Sequence, residues 1–247
     1  MNVIAERIPG VEYVVIDGGS GAATLGILEK YQNDIDNKLS EPDFGIAEAF
    51  NKGILAAKGQ LIGFLNAGDR YEQNALRFVA KAYNSHPDVD IFCGSIQFWE
   101  SGSPTLLCHS NLDRIEQETS VYHPTVFIKR SAYLRYGQYD EEYRYAMDYE
   151  LLLRFKRNGA KFFNLEETLA NMPLDGISHK HWYEGLKEVG RARSKYFSPA
   201  NVAYHHLRAV AMNLAARGLK SVGLRGVYQA YWNSRNEKTS ADRRQGV

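Results

Sequence analysis

The sequence predicts an α/β protein whose sheet presents acidic side chains to a single crevice. The β-rich run 11–16 ends at Asp17, and glycines follow that let the backbone turn sharply beside a ligand. The apolar run 61–65 likewise leads into a short loop that carries Asp69. Open α/β sheets bind ligands outside the carboxyl ends of their strands, so the two acidic strand ends are expected to share one site.

The remaining segments continue the alternation of strand and helix patterns. The predicted order is strand 11–16, helix 24–31, helix 46–57, strand 61–65, helix 74–85, strand 89–98, strand 125–128, helix 149–158 and strand 161–165. Apolar residues recur at helical spacing in 46–57, and Gly59, Pro87 and Gly159 mark helix ends. This order predicts one sheet, rich in parallel strands, with helices packed on it.

Length and composition are those of a soluble enzyme. A chain of 247 residues can hold one α/β core plus an appendage. Cys93 and Cys108 have neither a metal-binding spacing nor a disulfide pattern, which fits a reducing compartment. No apolar run approaches the roughly 18 residues of a membrane span, and the start has no secretory signal. We therefore expect a cytoplasmic protein, and the formal charge of +1 gives no reason to expect a nucleic-acid partner.

The C-terminal part of the chain has a different composition. Basic residues outnumber acidic ones from Lys187 onward and are interleaved with aromatic and aliphatic residues. This predicts a basic helical extension over 181–235, followed by a polar tail over 236–247 that is expected to be disordered. The extension either packs on the first domain with its basic face in water, or it lies on an anionic membrane surface.

Five motifs, in order and spacing, resemble the family 2 glycosyltransferases, which are inverting enzymes of the GT-A fold with nucleotide-sugar donors. The motifs are Asp17-Gly18-Gly19-Ser20; Ser40-Glu41-Pro42-Asp43 with Gly45-Ile46 and Asn51-Lys52-Gly53; Asn66-Ala67-Gly68-Asp69; His123-Pro124-Thr125-Val126-Phe127; and Ala146-Met147-Asp148-Tyr149-Glu150-Leu151-Leu152-Leu153-Arg154. The resemblance implies a GT-A domain over 1–180, with a Rossmann-like sheet flanked by helices, and the helical extension after it.

The resemblance also implies a role for each candidate site residue. Asp69 would bind Mg²⁺ or Mn²⁺, since a carboxylate there suits a hard cation that also holds the donor's phosphates. Asp148 would be the catalytic base, which inversion requires on the acceptor side. The residues expected to bind the nucleotide sugar are Asp17, Gly18, Gly19, Ser20, Asp43, Asn66 and His123.

Each of these residue types also has an ordinary structural explanation. Asp148 could be a helix N-cap, and Asp17 and Asp43 could be turn aspartates. His123 could be a satisfied loop histidine, and Lys52 a solvated helix residue instead of a phosphate contact.

The chain departs from the family pattern at three places. Residues 1–9 resemble only the end of the first helix, so the strand that usually precedes it is missing, through truncation, a misplaced start or true absence. Ala22 stands where the family usually has Asp. In the closing loop, Pro173 and Asp175 stand where Arg and Gly are common.

Two functions follow from this comparison. The first is an active glycosyltransferase of cell-surface polysaccharide synthesis, with a saccharide or lipid-linked acceptor. Peripheral contact with the inner face of the membrane and a homo-oligomer are both compatible with it. The second is a catalytically impaired GT-A domain that acts as a binding or partner protein. A dinucleotide-dependent oxidoreductase is disfavoured, because Gly18-Gly19-Ser20-Gly21 lacks the glycine spacing of that fingerprint.

Overall fold

Strands and helices alternate along the chain in the computed structural model, which describes residues 2–174 and 180–221. The helices are α1 (Asn2–Glu6), α2 (Ala22–Lys30), α3 (Ile46–Ala56), α4 (Ala75–Ser85), α5 (Arg130–Tyr136), α6 (Met147–Arg157), α7 (Trp182–Ser194) and α8 (Pro199–Ser221). The strands are β1 (Val14–Asp17), β2 (Asn37–Ser40), β3 (Leu61–Gly63), β4 (Arg70–Tyr71), β5 (Ile91–Glu100), β6 (Ser103–Cys108), β7 (Phe127–Lys129) and β8 (Phe162–Pro173). Three 3₁₀ turns lie at Gln32–Asp34, Leu112–Arg114 and His123–Thr125.

The strands form a small parallel sheet and a larger mixed one. The small sheet pairs β1 with β2, so that Asp17 lies opposite Ser40. The larger sheet has the order β3-β7-β5-β8-β4, with β6 added along β5. Within it only β5 and β8 run parallel, and the other described pairings are antiparallel.

The prediction of a sheet rich in parallel strands is therefore wrong. One reason is a hairpin between β5 and β6, where Ser101 and Gly102 both have positive φ, as a tight hairpin turn requires. Another is that β3, β4 and β7 are short strands that pair antiparallel to their neighbours. An apolar run shows that a segment is a buried strand, but it carries no information about the direction of its neighbours.

Two apolar layers cover the two faces of the larger sheet. Ile91 and Phe92 are adjacent in β5 and both fully buried, and they belong to different clusters because side chains alternate along a strand. One cluster contains buried residues of α3, α5, α6 and α7, and the other contains buried residues of α4 and β6. This two-sided burial explains why the run around Ile91 is almost continuously apolar.

Within the described residues, the predicted C-terminal helical extension is present as α7 and α8, and its part over 222–235 lies outside them. Ala192 of α7 is fully buried in the cluster that also contains α6, so α7 is an integral part of the packing. No helix in the described parts of the chain combines the length and apolar character that crossing a membrane requires. The predicted tail over 236–247 and the loop residue Asp175 lie outside the described residues.

Candidate active site

Hydrogen bonds to Asp17 join the loop that follows β1 to the loop that follows β2. Its carboxylate oxygen Oδ2 accepts a hydrogen bond from Ser40 Oγ at 2.6 Å and from the amide of Ser20 at 3.2 Å. Hydrogen bonds from the side chains of Ser20 and Ser40 and from the amide of Ser20 lower the pKa of Asp17 against the opposing effect of burial, so the carboxylate is ionised at neutral pH. The amide of Glu41 bonds the carbonyl of Asp17 at 3.0 Å, which closes the second loop onto the first.

Glycine is favoured where these loops meet. A Cβ atom on Gly18 would lie 2.2 Å from Oδ2 of Asp43, and Gly19 has φ +84° beside Pro42. Oδ1 of Asp43 accepts the amide of Gly45 at 3.0 Å. The structure thus brings Asp17, Gly18, Gly19, Ser20 and Asp43 into one group, and their role in nucleotide binding stays a prediction.

The ammonium group of Lys52 is paired with carboxylates beside this group. Its ammonium lies 3.0 Å from carboxylate oxygens of both Glu41 and Glu48 and donates to the carbonyl of Pro42 at 3.0 Å. The observed contacts of Lys52 are therefore with the second loop and with Glu48 of its own helix, α3.

A stack of aromatic rings places His123 beside α3 and the end of β3. The His123 ring lies 4.8 Å from the Phe50 ring with an interplanar angle of 8°, and Phe50 stacks on Phe64 at 4.3 Å. Burial lowers the pKa of His123 to about 4, so the imidazole is neutral at physiological pH. Gly53 allows this packing, because a Cβ there would meet the Phe64 ring at 2.8 Å.

Asp69 lies at the end of the turn that follows β3. Its amide bonds the carbonyl of Asn66 at 3.1 Å, and Gly68 adopts φ +101° near the Pro173 ring. The Asp69 side chain is half-buried, and burial raises its pKa to about 6. Asn66 is exposed.

The Asp69 carboxylate is a reasonable fit to a hard divalent cation. No ion pair to Asp69 occurs among residues 2–174 and 180–221, so no protein cation counteracts the increase in its pKa that burial causes. In the same part of the chain, no three His, Cys, Asp or Glu side chains cluster as a metal site. Asp69 would therefore share the ion with donor phosphates and water, as is usual for Mg²⁺.

Asp148 is the second residue of α6 and is not its N-cap. The N-cap is Ala146, which has no capping side chain, while Asp148 Oδ1 accepts the amide of Tyr149 at 2.8 Å. The side chain is half-buried, and the pKa is raised to about 6, mainly by burial and further by the charge of Glu188. The N-cap interpretation is therefore wrong.

Tyr139 connects Asp148 with the aromatic stack. Burial is the main reason that the pKa of the Tyr139 hydroxyl is raised, Tyr133 adds to it, and the charge of Asp148 makes a smaller contribution. The Tyr139 ring also packs edge-on against Phe50 at 5.2 Å and Phe64 at 6.0 Å. Asp148 and His123 thus border the same aromatic cluster, and α3 joins this cluster to the loop that carries Asp43.

Sequence reasoning missed the residues that hold the segment before α6. Asn51 exchanges two hydrogen bonds with the backbone of Tyr139, at 3.0 and 2.9 Å. Arg154 donates to the carbonyls of Tyr136 and Gln138 and pairs with Glu150 at 3.0 Å. Asn51 and Arg154 both lie within the quoted motifs, so their positions were visible but their structural role was not.

Sequence comparison matches this chain to known glycosyltransferases. The model of the family described as "Glycosyl transferase family 2" matches residues 2–130. A PGL/p-HBAD biosynthesis glycosyltransferase of Mycobacterium bovis is 28% identical over 158 residues, which is 60% of this chain and 59% of the relative. An uncharacterized glycosyltransferase of Mycobacterium tuberculosis is 29% identical over 167 residues, covering 62% of this chain and 60% of the relative. The matches thus span less than two thirds of these curated relatives.

Comparison of structures agrees on the fold. S. aureus TarS 1-349 in complex with UDP-GlcNAc superposes with a TM-score of 0.63 and 17% identity, covering 94% of this chain and 73% of that one. TarS 1-349 alone gives a TM-score of 0.61 with 18% identity, over 84% of this chain and 65% of that one. The GT-A fold implied by the five motifs is thereby confirmed.

Proposed function

Because the chain belongs to glycosyl transferase family 2, we propose that it transfers a sugar from a nucleotide-diphosphate donor to a saccharide or lipid-linked acceptor. Transfer would proceed with inversion, in cell-surface polysaccharide synthesis. The observation that carries this proposal is the environment of Asp148. It is a half-buried carboxylate without an ion-pair partner in the described chain, and it borders the aromatic cluster that α3 joins to the two loops.

The two loops would bind the nucleotide. Asp17 is ionised and held by Ser20 and Ser40, so it can accept hydrogen bonds from a base or ribose without moving. Gly18 leaves room for Asp43 beside it. A site whose polar groups are already oriented loses less free energy on binding, which supports the proposal for this pair of loops.

Asp69 would hold Mg²⁺ or Mn²⁺ together with the donor's diphosphate. When bound, the ion offsets the negative charge that the departing diphosphate gains. Asn66, exposed in the same turn, would contact the donor from this side.

Asp148 would take the proton from the acceptor hydroxyl. A base is most effective when its pKa lies near the working pH, and a pKa of about 6 leaves most of this carboxylate ionised at pH 7. The neutral imidazole of His123 would orient the acceptor or the diphosphate by a hydrogen bond without adding charge.

The alternative is a GT-A domain that binds a nucleotide or a partner without turnover. It is favoured by Ala22, the exposed first residue of α2, which supplies no carboxylate where the family usually has one. Pro173 favours it too, since it supplies no cation beside the Asp69 turn.

A donor panel separates the two. The whole chain is incubated with UDP- and GDP-sugars with and without Mn²⁺, and both nucleotide release and donor affinity are measured. Turnover with at least one donor is expected. Each incubation is made with and without simple saccharides and lipid-linked acceptors. Metal-dependent donor binding without nucleotide release under all of these conditions would favour the non-catalytic alternative.

We also propose a peripheral membrane contact through α8, on the inner face of the membrane of a cytoplasmic enzyme. Tyr204, Leu207 and Leu214 are 63%, 67% and 56% exposed and recur at helical spacing. The basic residues described here contribute less to attraction by an anionic membrane than their number suggests, because some of them are paired with carboxylates. Lys195 lies 3.4 Å from Asp140 and Arg208 lies 3.5 Å from Glu118. A second copy of the chain packed on the same face is the alternative occupant.

A further inference from the structure

The carboxylate of Glu188 binds three successive backbone amides at the start of α6. Oε1 accepts the amide of Arg144 at 3.0 Å, and Oε2 accepts those of Tyr145 at 2.7 Å and Ala146 at 2.8 Å. Asp148 follows two residues later. The contact therefore joins α7 of the C-terminal extension to the backbone that carries the proposed base.

These amides need an acceptor from elsewhere in the chain. Arg144 and Tyr145 precede α6 and Ala146 is its N-cap, so none of these three amides has an acceptor within the helix. The N-cap side chain usually supplies an acceptor to the amides that follow it. Ala146 cannot do so, and Asp148 instead bonds the amide of Tyr149. An anion is also favoured at this end of a helix by the helix dipole.

Two more side chains, one on α7 and one just after it, contact the segment before α6. Arg191 donates to the carbonyl of Glu142 at 2.6 Å, and its guanidinium lies 4.0 Å from the centre of the Tyr143 ring. Lys195 reaches Asp140. With Ala192 fully buried below them, these contacts leave Glu188 little freedom to move away from the amides.

We propose that Glu188 is a positioning residue for Asp148, which makes the C-terminal extension part of the catalytic centre. Glu188 holds the segment that leads into α6, so that the Asp148 carboxylate keeps its orientation toward the acceptor. This inference rests on the proposed role of Asp148 as base. A small displacement of a catalytic group can cost a large factor in rate, so the effect should appear in kcat.

The electrostatics of the site provide an independent readout. Among the described residues, the charge of Glu188 on α7 acts on the pKa of Asp148. The charge of Asp148 in turn acts on the hydroxyl of Tyr139, in the segment before α6, which also interacts with Tyr133 of α5. Burial is the main reason that the pKa of Asp148 is raised, and the negative charge of Glu188 adds to it. Neutralising Glu188 should therefore lower that pKa.

The test compares Glu188→Gln with Glu184→Gln, an exposed glutamate one turn earlier in α7. Carboxyl ¹³C titration follows Asp148, whose signal is assigned by its loss in Asp148→Asn. E188Q should shift the midpoint of Asp148 to lower pH and speed hydrogen exchange of the amides of Arg144, Tyr145 and Ala146 by about 10-fold. E184Q should change neither, and the same result for E188Q would overturn the inference.

Turnover with the best donor of the panel gives the second readout. E188Q should lower kcat by about 10-fold or more and move the acidic limb of the kcat profile to lower pH, with an unchanged KM for the donor. A parallel loss of kcat and donor affinity would instead make Glu188 a general stability residue and contradict its positioning role.

A second variant covers the case in which E188Q does not fold. Glu188→Asp keeps the charge but shortens the reach, so faster amide exchange and lower kcat at constant donor KM are expected. If Asp148→Asn retains full turnover, the proposed base is wrong, whatever Glu188 does to the titration. If Asp148→Asn is inactive while the Glu188 variants behave like E184Q, only the positioning role fails.

Discussion

Asp148 is the residue on which turnover is expected to depend most strongly. Asp148→Asn keeps an oxygen for the amide of Tyr149 but cannot take a proton, so kcat should fall by about 100-fold or more. Thermal stability and donor affinity should stay close to those of the unaltered chain. Steady-state kinetics, thermal melting and nucleotide titration check this. Normal turnover per folded molecule with a large loss of stability would make Asp148 a structural residue.

The pH dependence of kcat should report the same carboxylate. Because the pKa of Asp148 is raised to about 6 and the base must be ionised, kcat should decline as the pH falls through about 6. His123 does not titrate in that range, since its pKa is lowered to about 4. The pKa of Asp69 is also raised to about 6, so the profile is measured at saturating Mn²⁺, because a bound cation keeps that carboxylate ionised. A kcat profile that is flat from about pH 8 to pH 5 would argue against Asp148 as the base.

Asp69 should control the metal dependence of donor binding. Asp69→Ala removes the proposed metal ligand, and the described residues contain no cluster of three His, Cys, Asp or Glu side chains that could hold the ion instead, so Mn²⁺ should no longer strengthen binding of the UDP-sugar or GDP-sugar. Calorimetric titration with and without Mn²⁺ measures this. Asp148→Asn serves as the control, because it removes a different carboxylate and should retain the metal effect. A metal effect that survives in Asp69→Ala would refute the assignment.

At the scale of elements, the contact between the loops after β1 and β2 can be tested with two glycines. Gly18→Ala would place a methyl group 2.2 Å from Asp43 Oδ2, whereas a Cβ on Gly21 meets nothing within 4 Å. Overpacking of this kind costs about 1–3 kcal/mol, so Gly18→Ala should weaken donor binding by about 5-fold or more. Gly21→Ala should bind like the unaltered chain. Equal donor affinities of the two variants would contradict the proposal that these loops bind the donor.

The elements also show where sequence patterns succeed. Helix 46–57 was predicted almost to its ends, because its apolar spacing and its C-terminal stop are both local signals. Strand β8 was predicted only as far as Leu165, although it continues to Pro173. The missed part is held by pairing with β5 and β4, which local pattern does not reveal. Strand β2 is mostly exposed and was missed for lack of an apolar run.

At the scale of the whole molecule, the outer face of α8 decides the membrane proposal. Substituting Leu207 and Leu214 by Gln should reduce co-sedimentation of the whole chain with anionic vesicles, because apolar area and charge attraction both contribute to surface binding. Leu134→Gln on α5 is the control, since Leu134 is 83% exposed on a different element.

Vesicles of neutral lipid and a salt series complete this experiment. Binding should be confined to anionic vesicles and weakened by salt. If the unaltered chain stays in solution with both vesicle types, the membrane proposal fails, and a test of oligomeric state becomes the relevant one. A chain ending at His181 would be a poor probe, because it lacks Ala192 and Arg193, which are buried in the packed structure.

The sequence by itself determined the acidic ends of two strands, the order of the main elements and the family motifs that mark Asp17, Asp69 and Asp148. Those features are local, so that spacing and composition within a few residues are enough to reveal them. Only the tertiary structure decided the strand directions, the ion pairs of Lys52 with Glu41 and Glu48, and the acceptor of the amides that precede α6. Glu188 lies 42 residues along the chain from Ala146, and its charge meets those amides only because α7 packs on α6. Contacts between distant segments depend on how elements pack, and no local pattern specifies that packing.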